Sequence, residues 1–228
     1  MKETLQTEVK KLEISLDEKQ LDAFCAFGEE LIEKNKVMNL TAITEPQAVA
    51  KLHFADCLAL LNFADFKNKS VIDVGCGAGF PGVPLKLGEP TIQITLLDSL
   101  QKRVNWLKET MDKLNVPAQC VSARAEEYGH REEFDFATSR AVARLNILAE
   151  LCLPFVKVGG CFLAMKAAAA EEELAEAKNA ISRLGGKLEA VKHYEIDGAP
   201  RCVLIIRKVK PTPPAYPRRF AKIKQQPL

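Results

Sequence analysis

The sequence predicts an α/β fold: a largely parallel sheet covered on both faces, preceded by a helical segment. Two observations carry this. From Ser70 onward, short apolar runs alternate with amphipathic stretches, the pattern of repeated strand and helix units. Before Ser70, apolar residues recur at helical spacing instead. The chain has 228 residues, 47% hydrophobic and 27% charged, which allows a substantial core and excludes a disordered chain.

In the first segment, Ser15 and Glu18 have capping-box spacing, and Leu21, Phe24, Cys25, Gly28, Leu31 and Ile32 then share one helical face. Pro46 suits the first turn of a second helix, with Val49, Leu52, Cys57 and Leu61 turned to a core and Asn35 to Thr44 as the connection. Seven strands are expected, at residues 70–74, 91–98, 118–122, 134–138, 161–165, 187–196 and 201–208. Helices are expected at 81–87, 100–114, 146–155 and 171–184. No helical run separates the last two strands, so they are expected as an antiparallel pair at one edge. The chain divides into a helical cap (1–65), the α/β domain (66–208) and a C-terminal tail (209–228), forming one compact unit.

Several classes are excluded by composition. No run approaches the roughly 18 consecutive apolar residues of a membrane span. The start, MKETLQTEVKK, is too charged for a secretory signal, so a cytoplasmic location is expected with no membrane partner. Seven cysteines (25, 57, 76, 120, 152, 161 and 202) are scattered without a C-x-x-C pair or a nearby histidine, which argues against a disulfide framework or a metal site.

The strongest chemical signal runs from Val71 to Gly82. A buried strand passes directly into glycines at alternate positions, where the backbone can turn tightly and approach a ligand that a Cβ would exclude. Gly77, Gly79 and Gly82 spell G-x-G-x-x-G, and Asp98 ends a strand 19 residues after Gly79, so a nicotinamide or flavin dinucleotide has to be considered. Two features oppose it. The strand ends at Val74, leaving the fingerprint two residues late, and Asp73 puts a carboxylate where a pyrophosphate loop has no use for one. A ligand with a positive end fits better. S-adenosylmethionine has a sulfonium, an ammonium and a ribose whose two hydroxyls suit one carboxylate at Asp98.

The sequence then resembles a known family, the bacterial GidB-type methyltransferases that form 7-methylguanosine in 16S ribosomal RNA. The resemblance spans nearly the whole chain: Asn35 with Asn39-Leu40-Thr41, His53 and Asp56 in HFADCL, DVGCGAGFPGVPL, LLDSLQKRVNWL, ARAEEY, TSRAVA, LAMK and the YPRR of the tail. It implies a class I S-adenosylmethionine-dependent methyltransferase, Rossmann-like, with a seven-stranded mostly parallel sheet, an antiparallel edge and an N-terminal helical extension. It also implies a partner in 16S ribosomal RNA or the small ribosomal subunit; the sequence leaves the oligomeric state open, with a monomer favoured. Gly75, Gly77 and Gly79 would line the methionine end of the cofactor, Phe80 would pack on it, Asp98 would meet the ribose, and Ala125 and Glu126 would lie by the adenine. Arg140 belongs to the same site.

The residue types also bear on the target atom. Enzymes acting on exocyclic amines commonly have Asn or Asp before Pro-Pro-aromatic after the fourth strand, where this chain has Ser139-Arg140-Ala141; cytosine-C5 enzymes need a cysteine beside a proline, absent here. Guanine N7 offers its lone pair at neutral pH, so no general base is named. Asn39, His53, Arg103, Arg140 and Lys166 are candidates for holding RNA, with Arg able to stack or fork and Lys suited to phosphate. His53 on an amphipathic helix also fits a structural histidine, and Cys76 is expected to be inert. Arg140→Ala is expected to impair methylation with the fold intact. The chain departs from the family at Ala167, where glycine is usual, and at Phe220-Ala221, where Pro-Gly is common.

The remaining alternatives are a same-fold enzyme acting on protein or a small molecule, and a non-catalytic RNA-binding assembly protein. Net charge is only +2, yet residues 207–228 carry seven basic residues and no acid, leaving 25 basic and 30 acidic residues, a balance of −5, in the other 206. That segregation reads as a basic arm with Tyr216 beside two arginines, suited to single-stranded RNA and expected to be dispensable for cofactor affinity.

Overall fold

The computed structural model describes residues 1–140, 143–167 and 170–228, the side chains of 170 and 171 excepted. Ala141 and Val142, in the TSRAVA segment, lie outside the described residues. The strands are β1 (Ser70–Val74), β2 (Gln93–Asp98), β3 (Gln119–Ser122), β4 (Phe134–Arg140), β5 (Val156–Ala167), β6 (Gly186–Ile196) and β7 (Ala199–Lys208). They form one sheet in the order β3-β2-β1-β4-β5-β7-β6. β1 to β5 pair in parallel, and β7 lies antiparallel between β5 and β6. The expected edge pair is present, and the two-residue turn Asp197-Gly198, both at positive φ, matches the twist of a tight hairpin. From β1 the chain winds out through β2 to β3, then returns to β4 on the other side. The carboxyl ends of β1 and β4 therefore flank the crevice where open α/β sheets bind ligands.

Helices α1 (Lys2–Lys11), α2 (Glu18–Met38), α3 (Pro46–Val49), α4 (Asp56–Leu58), α5 (Gly82–Gly88), α6 (Gln101–Lys113), α7 (Leu145–Cys152), α8 (Ala170–Arg183) and α9 (Phe220–Gln225) cover the sheet. Two details differ from the sequence expectation. The capping box of α2 is Asp17 with Gln20, because Glu18 already stands inside the helix; the Asp17 carboxylate accepts the Gln20 N–H at 2.8 Å and the Gln20 amide oxygen accepts the Asp17 N–H at 2.9 Å. An additional helix, α1, precedes it; its buried apolar residues are only Leu5 and Val9, too weak a stripe to stand out among charges.

Between α3 and α4 the chain winds as a π-helix from Ala50 to Ala55. The wider turn rotates the side chains that follow, and it carries His53 to the crevice. Two apolar clusters fill the two faces of the sheet. One joins Phe24, Phe27 and Phe54 of the N-terminal helices to Val71, Leu96 and Trp106, so this segment shares its core with the sheet. The Gln20 amide strengthens that union by donating to the carbonyls of Leu87 (3.0 Å) and Gly88 (2.8 Å) at the end of α5. The other cluster packs α7 and α8 against β4, β5 and β7 and includes Ile223 of the tail.

The tail folds back onto the domain, in contrast to the arm expected from its charge. Arg218 forks onto Glu150 of α7, a fully buried carboxylate, at 2.8 and 2.6 Å. Arg131 donates to the carbonyls of Thr212 and Tyr216, and buried Lys208 donates to Leu153 O (2.7 Å) and Thr212 Oγ1 (2.6 Å). The charges that looked free as a run are thus partly spent on internal acids: Arg207 pairs with Glu189, Lys208 with Glu132 and Arg218 with Glu150. Lys210, Arg219, Lys222 and Lys224 remain exposed, with no ion pair among the described residues.

Candidate active site

A cavity of about 490 Å³ opens over the carboxyl ends of β1 to β4. Its floor is the loop after β1. Gly75, Gly77 and Gly79 all have positive φ (71°, 57° and 93°), which only glycine adopts freely. The Gly75 and Cys76 N–H groups donate back to Leu97 O at 2.8 and 3.1 Å, fixing the loop against β2. The glycines divide the work. A Cβ on Gly77 would meet nothing nearer than 4.0 Å and would project into open cavity, whereas one on Gly79 would strike Val83 at 2.6 Å and one on Gly82 would strike Leu96 at 2.4 Å. Gly75 and Gly77 face the cavity; Gly79, expected there, serves the packing of α5 and α6 and does not line it.

Two carboxylates hold this loop. Asp98 Oδ2 accepts the Gly77 N–H at 2.9 Å and Oδ1 accepts the Leu100 N–H at 2.8 Å, and the side chain still lines the cavity with lone pairs to spare. Asp73 sits beneath: fully buried, it accepts the Gly82 N–H at 2.7 Å through Oδ2, while Oδ1 has no partner. Its burial pushes the carboxyl up to about 7 against the pull of the Gly82 N–H. Asp73 therefore supports the loop from below and does not line the cavity, where sequence reasoning had aimed it at a cationic ligand.

The wall toward β4 is a stack. Phe80 stacks on the His53 ring at 4.4 Å with the planes 26° apart, and the Arg140 guanidinium sits 4.8 Å from the centre of Phe80. Arg140 donates to Asp56 Oδ2 (3.2 Å), to Leu52 O (3.3 Å) and to His53 Nδ1 (3.0 Å). Since an arginine only donates, His53 Nδ1 is the acceptor and the ring proton lies on Nε2, which donates to Thr41 Oγ1 at 2.8 Å. Burial, with the Arg140 charge beside it, holds the His53 imidazole down at about 3. Asp56 completes the set by accepting the Tyr194 hydroxyl at 2.8 Å. Arg140 is thus both at the cavity and locked in a buried network, a double role not visible in its sequence position.

Of the other expected residues, Ala125, Glu126 and Arg103 line the cavity. Asn39 does not; at φ 49° it ends α2 and directs Leu40 and Thr41 into the wall. Lys166 belongs to a neighbouring cavity that shares His53 and Arg140 and also holds Arg144, Arg201 and Glu173. There it bridges Ala143 O at 2.8 Å and Glu173 at 2.7 Å. Cys76 is buried, and burial raises its thiol well above the ordinary value, so it is not a nucleophile. Sequence reasoning missed Phe220, which reaches the cavity from the tail, and gave no role to Asp56, the partner of Arg140.

The strand order, the glycine loop and the acidic end of β2 over one cavity define a Rossmann-like protein of the class I methyltransferase fold. A crystal structure of a SAM-dependent methyltransferase from Aquifex aeolicus superposes with a TM-score of 0.56 over 77% of this chain and 97% of its own, at 17% identity. The sequence is closer to proteins called ribosomal RNA small subunit methyltransferase G. It is 47% identical to the one from Bacillus cytotoxicus (90% of each chain) and 42% identical to one from Clostridium botulinum (98% and 97%). The model of the GidB family, rRNA small subunit methyltransferase G, matches residues 20–200, and the chain belongs to that family.

Proposed function

We propose that the protein transfers a methyl group from S-adenosylmethionine to N7 of a guanine in 16S ribosomal RNA. The observation that carries this is the glycine-floored cavity with Asp98 at its rim in a chain of the GidB family. The residues fit the cofactor: the open space above Gly77 admits a ligand that a side chain would exclude, and Asp98 keeps acceptor capacity for ribose hydroxyls. Gly75 and Gly77 would hold the methionine end, Phe80 and Arg140 the middle of the cavity, and Ala125 and Glu126 the adenine. When bound, the cofactor supplies a methyl group activated by its sulfonium.

The chain's own contribution is alignment. Of the titratable groups around the cavity, His53 gives its lone pair to Arg140 and Asp73 lies sealed below, while Asp98 and Glu126 stand at the end read as the ribose and adenine side, away from the acceptor. A site without a free base suits an acceptor that needs no deprotonation, as guanine N7 does not. Holding donor and acceptor in line in a cavity shielded from water then provides the rate enhancement. The adjoining cavity, with Arg144, Lys166 and Arg201 around the shared Arg140, is placed to hold the RNA backbone beside the acceptor base. Among the described residues no helix is long and apolar enough to cross a membrane, and no cluster of metal-ligating side chains is present. The substrate is met in the cytoplasm, as free RNA or within the small subunit.

The test is twofold. S-adenosylhomocysteine should raise the melting midpoint while NAD and NADP do not. Labelled cofactor should then methylate small subunits lacking the modification. Tight cofactor binding without transfer to RNA would point instead to another acceptor.

A further inference from the structure

The far end of the cavity, past Asp98, is closed by a residue from the opposite end of the chain. β3 lies alongside β2, with the Ala123 N–H just past it donating to Asp98 O at 3.1 Å, and the cavity continues along Ala123 to Glu126. Leu151 and Phe220 line the cavity together with these. The Phe220 N–H donates to Glu126 Oε1 at 3.3 Å, and the Arg124 guanidinium lies 6.0 Å from its ring centre. The ring is only half buried, so the protein alone does not consume its surface.

Phe220 is also firmly delivered. Just before it, Arg218 forks onto buried Glu150; just after it, Ile223 is fully buried. An aromatic ring held between two anchors and partly exposed in a nucleoside-sized cavity is suited to a flat heterocycle. We propose that Phe220 is a further cofactor-binding residue, packing on the adenine ring and making cofactor affinity depend on the folded C-terminal segment. This rests on the cofactor assigned under the proposed function. It replaces the expectation that the tail is indifferent to the cofactor.

The test is calorimetric titration of the full-length protein with S-adenosylhomocysteine and with 5′-methylthioadenosine, which keeps the adenine and lacks the amino-acid end. Phe220→Ala should weaken both by about five- to tenfold, since both present the same ring. Phe220→Tyr should restore both. The free Phe220→Ala variant should melt somewhat lower, because the ring also packs on the core, so both probes are titrated well below its midpoint; Phe220→Leu, which keeps apolar bulk without the π-face, should fall between in affinity. Unchanged affinity in Phe220→Ala with normal wild-type binding would overturn this proposal and leave the proposed function standing. Loss for S-adenosylhomocysteine alone would also overturn it, because the ring would then not meet adenine. Failure of the wild type to bind either probe would bring down the cofactor assignment itself.

Discussion

The glycine loop and the C-terminal tail wall the same cavity, but they are held by different kinds of contact. The loop is fixed by near neighbours in sequence: Asp73 to Gly82 and Gly77 to Asp98. The tail is fixed by partners far away, Arg218 by Glu150, Thr212 by Arg131 and Phe220 by Glu126. The loop's purpose survives in a contiguous motif, since glycine is required at positions that no other residue tolerates. The tail's purpose is distributed over residues that have no visible relation until the sheet forms. Charge illustrates the point: as a run it reads +7, but in the fold three of those seven residues meet acids.

The comparison can be broken first at the loop. Gly77→Val forces a branched side chain into a positive-φ position and fills the approach to the cavity, so calorimetry should find S-adenosylhomocysteine binding abolished. An unaltered affinity would separate the loop from the ligand.

At the tail, Arg218→Ala leaves Glu150 buried without its partner, an arrangement that costs about 3–5 kcal/mol. Urea unfolding should show a lower midpoint and the variant should bind cofactor more weakly. A midpoint equal to wild type would mean the tail is not latched. Arg140→Ala carries a similar penalty through buried Asp56, so its loss of methylation will come with lost stability, contrary to the expectation from sequence.

Beneath the loop, Asp73 sets a pH dependence. Its folded value, about 7, lies above that of an unfolded aspartate, so the folded chain binds the extra proton and the stabilisation is lost as pH rises from about 4 through 7. Asp73→Asn keeps an oxygen for the Gly82 N–H and removes the titration. The stability of wild type relative to this variant should fall by up to about 4 kcal/mol between pH 4 and pH 8. His53 acts in the opposite direction. Its folded value, about 3, lies below the unfolded one, so its contribution is lost as pH falls from 6.5 toward 3. A flat difference between wild type and Asp73→Asn would show that Asp73 is ionised throughout.

The smallest effect sharpens what the tail retains for RNA. Lys222→Gln and Lys224→Gln remove exposed charges with no ion pair among the described residues, and each should lower the slope of log affinity against log salt by about 0.7 to 0.9. Cofactor affinity should not change. An unchanged slope would place the RNA contact elsewhere, with the basic residues around Lys166 the next candidates.

Much of this fold is legible in sequence because strand and helix periods alternate cleanly from Ser70, and the expected strands fall within a few residues of those observed. The exception is β5, which begins at Val156, well before the apolar run at Cys161, because Lys157 to Gly159 carry no strand signal of their own. In the site, Gly77 and Asp98 stand out in the sequence by a loop and a strand end and Arg140 by its place just past a strand, whereas Glu126 is pointed to only by the family resemblance. Gly79 does not line the cavity, and the sequence does not show this, because a glycine needed for helix packing looks the same in sequence as one needed for a ligand. The lock of Arg140 by Asp56 depends on the π-turn that carries His53, which no hydrophobic period announces.

Methyl transfer to guanine N7 leaves a modified base that chemical cleavage of the RNA reveals. The most direct measurement incubates small ribosomal subunits lacking the modification with the protein and labelled S-adenosylmethionine, then cleaves the RNA chemically at 7-methylguanosine. Label should appear in 16S ribosomal RNA with a single new cleavage at one guanine, absent with Gly77→Val. Label recovered without cleavage, or recovered in protein, would contradict it.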